Sequence, residues 1–249
     1  MPEKKHSWFG ETWRTALYAG LIAVSIRTFA FEPFNIPSES MLPTLLVGDY
    51  LFVSKFSYGY SRHSLPFSPP LFSGRFLAST PERGDVAVFK LPRDNSQDYI
   101  KRIIGLPGDR VQVREGLLYV NDKLVDRKPV GEFSAPNSFG AQRKYKRYIE
   151  TLPNGKTYSV LDHHADADGD DTQVFVVPPG HYFAMGDNRD NSLDSRMSPR
   201  RSGVGFIPAD NLVGRAEFLF FSTDGSARIW EPWKWIQAAR FSRFFRAIE

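Results

Sequence analysis

Two short stretches carry residue types suited to acyl transfer without a metal. The first is Pro37-Ser38-Glu39-Ser40-Met41-Leu42-Pro43-Thr44-Leu45, where two serine hydroxyls stand two residues apart between prolines. Proline fixes φ, so the hydroxyls sit in a stiff turn. A linker after an apolar segment would carry the same prolines and serines, so the turn alone does not establish a nucleophile. A serine hydroxyl needs a base to become one. Five histidines are present, His6, His63, His163, His164 and His181. Only His181 falls in a strand-like run, and nothing around it resembles a Ser-His-Asp arrangement. The chain has no cysteine, which excludes thiol nucleophiles, thiolate zinc sites and disulfides.

The second stretch supplies another base. In Asp98-Tyr99-Ile100-Lys101-Arg102-Ile103-Ile104, strand alternation puts Tyr99, Lys101 and Ile103 on one face. A lysine among apolar neighbours loses its proton more readily, because desolvation disfavours the ammonium form. An edge-strand charge would read the same way. A third cluster, Gly186-Asp187-Asn188-Arg189-Asp190-Asn191-Ser192-Leu193-Asp194-Ser195-Arg196, is so polar that it must hydrogen-bond internally. It reads as a surface turn, or as a positioning loop in which Ser192 orients the lysine amine and Asp194 pairs with Arg196.

The elements that must hold these groups are short strands. Runs rich in β-branched and aromatic residues cover 50–58, 85–91, 99–104, 110–114, 173–177, 181–185 and 212–221, punctuated by Gly, Pro, Asn and Asp. Residues 115–123 read as a strand between two turns. No long 3.6-residue period interrupts 50–225, which predicts an all-β core. The 249 residues suffice for one large domain or two modest ones. The net charge of +4 is spread along the chain and gives no case for nucleic acid.

The N-terminal end differs. Residues 15–34, TALYAGLIAVSIRTFAFEPF, reach about the 20 residues a bilayer needs, with Arg27 and Glu32 towards one end. An uncleaved anchor, a cleaved signal peptide and a buried helix are the three readings, and the anchor is the expectation. Lys4, Lys5 and Arg14 would then keep the N-terminus in the cytoplasm. Residues 61–79 combine Pro and Ser with many apolar side chains, which suits packing on the core or contact with lipid. Residues 231–249 read as a basic, aromatic amphipathic helix, for a membrane surface or for docking on the core.

Taken in order, PSESMLPTL, Gly48-Asp49, RGDVAVF (83–89), YIKRIIGLPGD (99–109) and GDNRDNSLDSR (186–196) resemble the motifs of bacterial type I signal peptidases. The preceding IRTFAFEPFNIP (26–37) is similar to that family's exit from its membrane segment. The resemblance covers roughly 20–113 and 175–222. It implies a Ser/Lys dyad, with Ser40 as nucleophile and Lys101 as general base. It also implies an oxyanion hole from the Ser40 amide and the Ser38 hydroxyl, with Ser192 holding the Lys101 amine. Asp194 and Arg196 would brace the loop, with Asp187 and Arg189 as lesser support. Ile36, Met41, Leu45, Tyr99 and Ile100 match positions lining shallow pockets for small substrate residues.

The implied fold is mainly β: an antiparallel-sheet catalytic core (35–113 and 178–230) with an inserted second β domain (114–177). A cytoplasmic segment (1–13) and a transmembrane helix (14–34) would precede it, and the amphipathic segment (231–249) would follow. The implied partners are preproteins with Ala-x-Ala at the signal-peptide junction and the lipid bilayer, for a monomer whose catalytic part faces the periplasm. No cofactor or metal is implied, and Asp166-Ala167-Asp168-Gly169-Asp170-Asp171 does not complete a calcium loop. Glu39 departs from the small residue common there, and the aromatic C-terminal segment is not explained by the motifs. A related peptidase dedicated to one conjugative-transfer substrate, or a non-enzymatic anchored β-module, are the rival readings.

Overall fold

Turn-forming residues cut the chain into short strands, and a computed structural model shows how they assemble. It describes residues 8–136, 142–164, 167–227 and 230–249. Lys4, Lys5, His6 and Asp166 lie outside the described residues. One helix comes first, α1 (Trp8–Phe29). The strands of the main sheet are β1 (Phe31–Asn35), β2 (Asp49–Ser54), β3 (Val86–Lys90) and β4 (Asp98–Gly105), followed much later in the chain by further members. Between these lie β5 (Arg110–Arg114), β6 (Leu117–Val120), β7 (Lys123–Leu124), β8 (Asp126–Pro136), β9 (Gln142–Thr151), β10 (Thr157–Asp162) and β11 (Phe175–Val176). The main sheet is completed by β12 (His181–Met185), β13 (Ile207–Pro208) and β14 (Leu212–Ser222), and a short helix α2 (Pro232–Ala238) follows.

Seven strands form the main sheet in the order β1-β2-β14-β3-β4-β12-β13, with every pairing antiparallel. The expected β-rich, antiparallel core is therefore present. β4 lies inside this sheet between β3 and β12, so its backbone is paired on both sides and its second half is buried. That placement answers the edge-strand reading of Lys101: it sits on an interior strand. β5 turns away from β4. It joins β6, β7 and β11 in a four-stranded sheet, so 110–114 belongs there and not to the main sheet. β8, β9 and β10 form a third sheet from a long hairpin.

Two apolar clusters support the site. Ile36, Met41, Leu45, Leu51, Val53, Val86, Val88 and Val213 pack beneath the nucleophile segment. Leu42 joins Ala135, Tyr145 and Leu161 from the third sheet, which fastens that sheet to the same segment. Completely burying one such side chain is worth roughly 1.5–3 kcal/mol, so the turn around Ser40 is anchored from two sides.

Two boundary expectations change. α1 stops at Phe29, and Phe31–Asn35 is a strand paired with β2, so the apolar stretch to Phe34 is not one helix. Pro33 cannot continue a helix, and Glu32 is drawn to Arg27 at 2.6 Å and to buried Lys55 at 2.9 Å. Side chains of α1 from Glu11 to Arg27 are exposed, yet no helix among the described residues is long and apolar enough to cross a membrane. The amphipathic helix expected over 231–249 is α-helical only over Pro232–Ala238, with a 3-10 turn at Phe241–Arg243. Beyond it the chain returns to the core, where Ala247 bridges Phe218 of β14. Of the two readings of residues 61–79, packing on the core is the one the structure shows. Arg75 pins the segment to the carbonyls of Tyr58, Gly59, Ala209 and Leu212, while Phe67, Leu71 and Leu77 stay exposed.

Candidate active site

Ser40 and Lys101 are 61 residues apart in the chain, and the fold places Lys101 Nζ 2.6 Å from Ser40 Oγ. β4 carries Lys101 up from the sheet, and the turn after β1 lowers Ser40 onto it. Both are buried, Ser40 at 8% and Lys101 at 4% exposure. Lys101 also meets the carbonyl of Ile100 at 3.0 Å, and its amine stands 5.6 Å from the Tyr99 ring centroid. Burial pulls the Lys101 pKa down to about 8, against the opposing pull of Asp194 and Asp187. An amine poised there is suited to taking a hydroxyl proton near neutral pH.

Ser38 Oγ lies 3.4 Å from Ser40 Oγ, on the wall of the same cleft. The cleft has a volume of about 610 Å³ and runs between residues 34–40 and 97–101. Ile36, Tyr99 and Ile100 line it. Met41 and Leu45 do not. The chain turns after Ser40, with Leu45 N bonded to the Met41 carbonyl, and both side chains point into the core beneath.

The 186–196 loop is a folded support. Arg196 Nε and Nη2 grip the two carboxylate oxygens of Asp194 at 3.0 and 2.9 Å. Gly186 N donates to Asp194 at 3.0 Å, and Arg196 Nη2 reaches the Arg189 carbonyl at 2.6 Å. Burial would raise the Asp194 pKa, but the Arg196 guanidinium and these N–H donors outweigh it and hold the carboxyl below its usual range. The loop then docks on the nucleophile turn. Asn188 N donates to the Ser40 carbonyl at 3.1 Å, and the Asn188 side chain donates to the Glu39 carbonyl at 3.1 Å. Glu39 in turn accepts from Asn191 Nδ2 at 3.1 Å, so the departure at this position gives the loop a further tie.

Ser192 differs from expectation. Its hydroxyl is buried with no hydrogen-bond partner among the described residues, so the anticipated bond to the Lys101 amine is not formed. It packs against Gly186, where an added Cβ would stand 2.2 Å from Ser192 Oγ and 2.5 Å from the Ser40 carbonyl oxygen. That close approach is what requires glycine at 186.

Several supporting residues were not visible in the sequence. Arg102, 1% exposed, clasps Asp187 through two 2.8 Å bonds, caps the Gly84 carbonyl at 2.7 Å and lies 4.3 Å from the Tyr158 ring centroid. Asp187 also accepts from Thr44, so Arg102 and Asp187 tie the loop to the nucleophile turn. Arg189 pairs with Glu150 of β9, at 2.9 Å for one of its two contacts, where Tyr158 also donates at 2.6 Å. Arg243 from the C-terminal segment holds Asp49 of the Gly-Asp motif and the Thr44 carbonyl. The one sequence signal for Arg102 is its adjacency to Lys101 in an apolar strand, which alternation turns to the opposite face.

The described residues contain no group of His, Asp and Glu arranged to hold a metal. The family described as signal peptidase, peptidase S26 matches residues 9–221. The signal peptidase I of Rickettsia canadensis (strain McKiel) is 42% identical over 255 residues, covering 96% of this chain and 93% of that protein. The signal peptidase I of Rickettsia typhi (strain ATCC VR-144 / Wilmington) is 43% identical over 244 residues, covering 91% and 89%. A crystal structure of a signal peptidase I from Enterococcus faecalis V583 is 25% identical and covers 55% of this chain and 97% of that one, with a TM-score of 0.31. With a family match over most of its length and relatives above 40% identity, the chain belongs to the signal peptidase family, peptidase S26, and is a serine hydrolase.

Proposed function

We propose that this enzyme is a membrane-bound endopeptidase that removes signal peptides from secreted preproteins at Ala-x-Ala junctions with a Ser40/Lys101 dyad. The observation that carries the reading is the 2.6 Å approach of a buried, pKa-lowered lysine to a serine hydroxyl on the wall of a cleft. Neutral Lys101 takes the Ser40 proton as Oγ attacks the scissile carbonyl. The Ser40 amide and the Ser38 hydroxyl donate to the oxyanion, where preorganised donors act on developing charge. Lys101 returns the proton to the leaving amine, then activates the water that hydrolyses the acyl-enzyme. Asp187, Arg189, Asp194 and Arg196 keep the loop against the nucleophile turn, and Ser192 lines the same cleft as Ser40 and Lys101.

Membrane attachment is supported by surface chemistry. Trp13, Leu17, Leu21 and Ile22 of α1 are more than half exposed. Phe31, Phe52 and Phe218 cluster on the outer side of β1, β2 and β14, and Trp233, Ile236 and Phe245 are exposed nearby in the chain's last segment. A solvent that accepts such surface is lipid. We place the N-terminal side of α1 in the cytoplasm and the catalytic part across the inner membrane.

An Ala-x-Ala preprotein assay in detergent tests the chemistry. Wild type cleaves at the junction, while Ser40→Ala and Lys101→Met lose cleavage and stay folded. Near-normal turnover in Lys101→Met would refute the dyad. Alkaline carbonate extraction of cell membranes tests the attachment: the enzyme stays in the pellet, and its release would refute integral anchoring.

A further inference from the structure

Side chains of α1 from Glu11 to Arg27 are exposed, and Thr28, at 4% exposure, is the first described residue of the helix to be buried. The direction of α1 is therefore set at its last turn. No linker follows. Ala30 N closes on the Ile26 carbonyl at 2.8 Å, as inside the helix, while the Ala30 carbonyl accepts from Lys55 N at 3.0 Å. Phe31 is already paired with Ser54. The ties continue to Ile36, whose amide donates to the Asp49 carbonyl at 2.8 Å, just before the turn that carries Ser40.

Side chains lock the same corner. Glu32 Oε1 accepts from Arg27 Nε at 2.9 Å, and Glu32 Oε2 pairs with Lys55 Nζ at 2.9 Å, so one carboxylate joins the end of α1 to the end of β2. Lys55, 2% exposed, also donates to the Ser64 carbonyl at 2.7 Å. Tyr60 Oη donates to the Phe29 carbonyl at 2.8 Å, which satisfies an acceptor that a helix end leaves open, and its ring meets the Phe29 ring edge-on at 5.8 Å. The Arg27 side chain is 61% exposed, and an exposed ion pair is worth only about 0–1 kcal/mol, so this contact adds little stability. What the corner fixes is an angle. A helix of 22 residues is about 33 Å long, and about 15° of play at its base would swing its far end by about 9 Å.

A preprotein whose apolar segment lies in the same bilayer as α1 presents its junction at one height above that bilayer. We propose that the corner built on Glu32, with Arg27, Lys55 and Tyr60, is a positioning device: it fixes the tilt of the catalytic sheet on α1 and so holds Ser40 at the height of a membrane-held junction. Among the described residues, none of these four is hydrogen-bonded to Ser40 or Lys101. They act on where the dyad meets its substrate and leave the chemistry alone. The proposal rests on the membrane-bound peptidase reading and adds the residues that join its two parts.

The test uses the full chain reconstituted in phosphatidylethanolamine–phosphatidylglycerol vesicles, with two substrates sharing one Ala-x-Ala junction. One is a preprotein inserted in the same vesicles, the other a short soluble peptide. The double variant Glu32→Leu/Lys55→Met removes the corner and replaces its buried pair by apolar side chains, so that neither charge is left buried alone. Its kcat/KM on the peptide should stay within about twofold of wild type, while that on the preprotein falls about tenfold, as expected when distant misplacement disturbs the approach of reacting groups. A preprotein-to-peptide ratio equal to that of wild type overturns the proposal, whether both activities hold or both fall together as they would for a merely structural pair. Should the double variant not fold, Tyr60→Phe decides instead. It loses the one bond to the Phe29 carbonyl, and its ratio should drop about threefold; an unchanged ratio overturns the proposal. Either refutation leaves the peptidase reading standing, whereas cleavage of neither substrate by wild type would remove both.

Discussion

Replacing Lys101 by Met should abolish cleavage and stabilise the fold at neutral pH. The pKa of this lysine falls from 10.5 to about 8 on burial. At 1.36 kcal/mol for each tenfold change in proton affinity, the native state loses about 3 kcal/mol by keeping the amine charged below pH 8. Methionine is similar in length, apolar and adaptable, so it removes that cost. It also removes the contacts to Ser40 Oγ at 2.6 Å and the Ile100 carbonyl at 3.0 Å, together worth ~1–2 kcal/mol. The net expectation at pH 7 is a gain of ~1–2 kcal/mol. The difference must depend on pH in one direction. Below 8 both native and unfolded lysines are charged and the cost is complete. Between about 8 and 10.5 the unfolded lysine binds more protons than the native one, so wild-type stability rises with pH. By pH 10.5 the advantage of Lys101→Met should vanish or reverse. Urea unfolding of both proteins in detergent, followed by tryptophan fluorescence at pH 7 and pH 10, reads it directly. A variant several kcal/mol less stable than wild type at pH 7, with a gap independent of pH, would mean that Lys101 is a charged structural anchor and not a strained base.

The same lysine sets the pH profile: kcat/KM should fall tenfold per unit below about pH 8 as Lys101 takes up its proton, and a flat profile between pH 6 and 9 would contradict the assignment. Arg102→Met leaves Asp187 buried without its guanidinium, which should destabilise the protein by about 3–5 kcal/mol, measured as a lowered urea midpoint. Gly186→Ala drives a Cβ against Ser192 Oγ and the Ser40 carbonyl, so it should lower kcat by at least about tenfold in the preprotein assay, whereas unchanged kcat would mean that the loop gives way freely.

Much of the fold was legible because strand signals are local. The expected strands over 110–114 and 181–185 match β5 and β12 residue for residue, and those over 85–91, 99–104 and 212–221 differ from β3, β4 and β14 by only a residue or so. The hairpin of β8 and β9 was not picked out, because charged residues such as Lys128, Glu132, Lys144 and Lys146 cover its exposed side and blur the alternation. α1 ends five residues before the expected Phe34 because apolar content alone cannot tell helix from strand in FAFEPF; the decision lies in pairing with β2, which is distant in the chain.

The chemistry divides in the same way. By itself the sequence determined which residue types were available: two hydroxyls in a stiff turn, a lysine in an apolar strand, a polar loop, and no thiol or histidine partner. Their identity as a family signature needed only order along the chain. Tertiary structure decided what no local pattern encodes. It put β4 between β3 and β12, which is why Lys101 is dry enough to lose its proton. It turned Met41 and Leu45 into the core, and it left Ser192 without the bond expected of it. It recruited Arg102, Glu150 and Arg243 from three separate parts of the chain, because a buried charge needs an opposite one from wherever the fold can bring it.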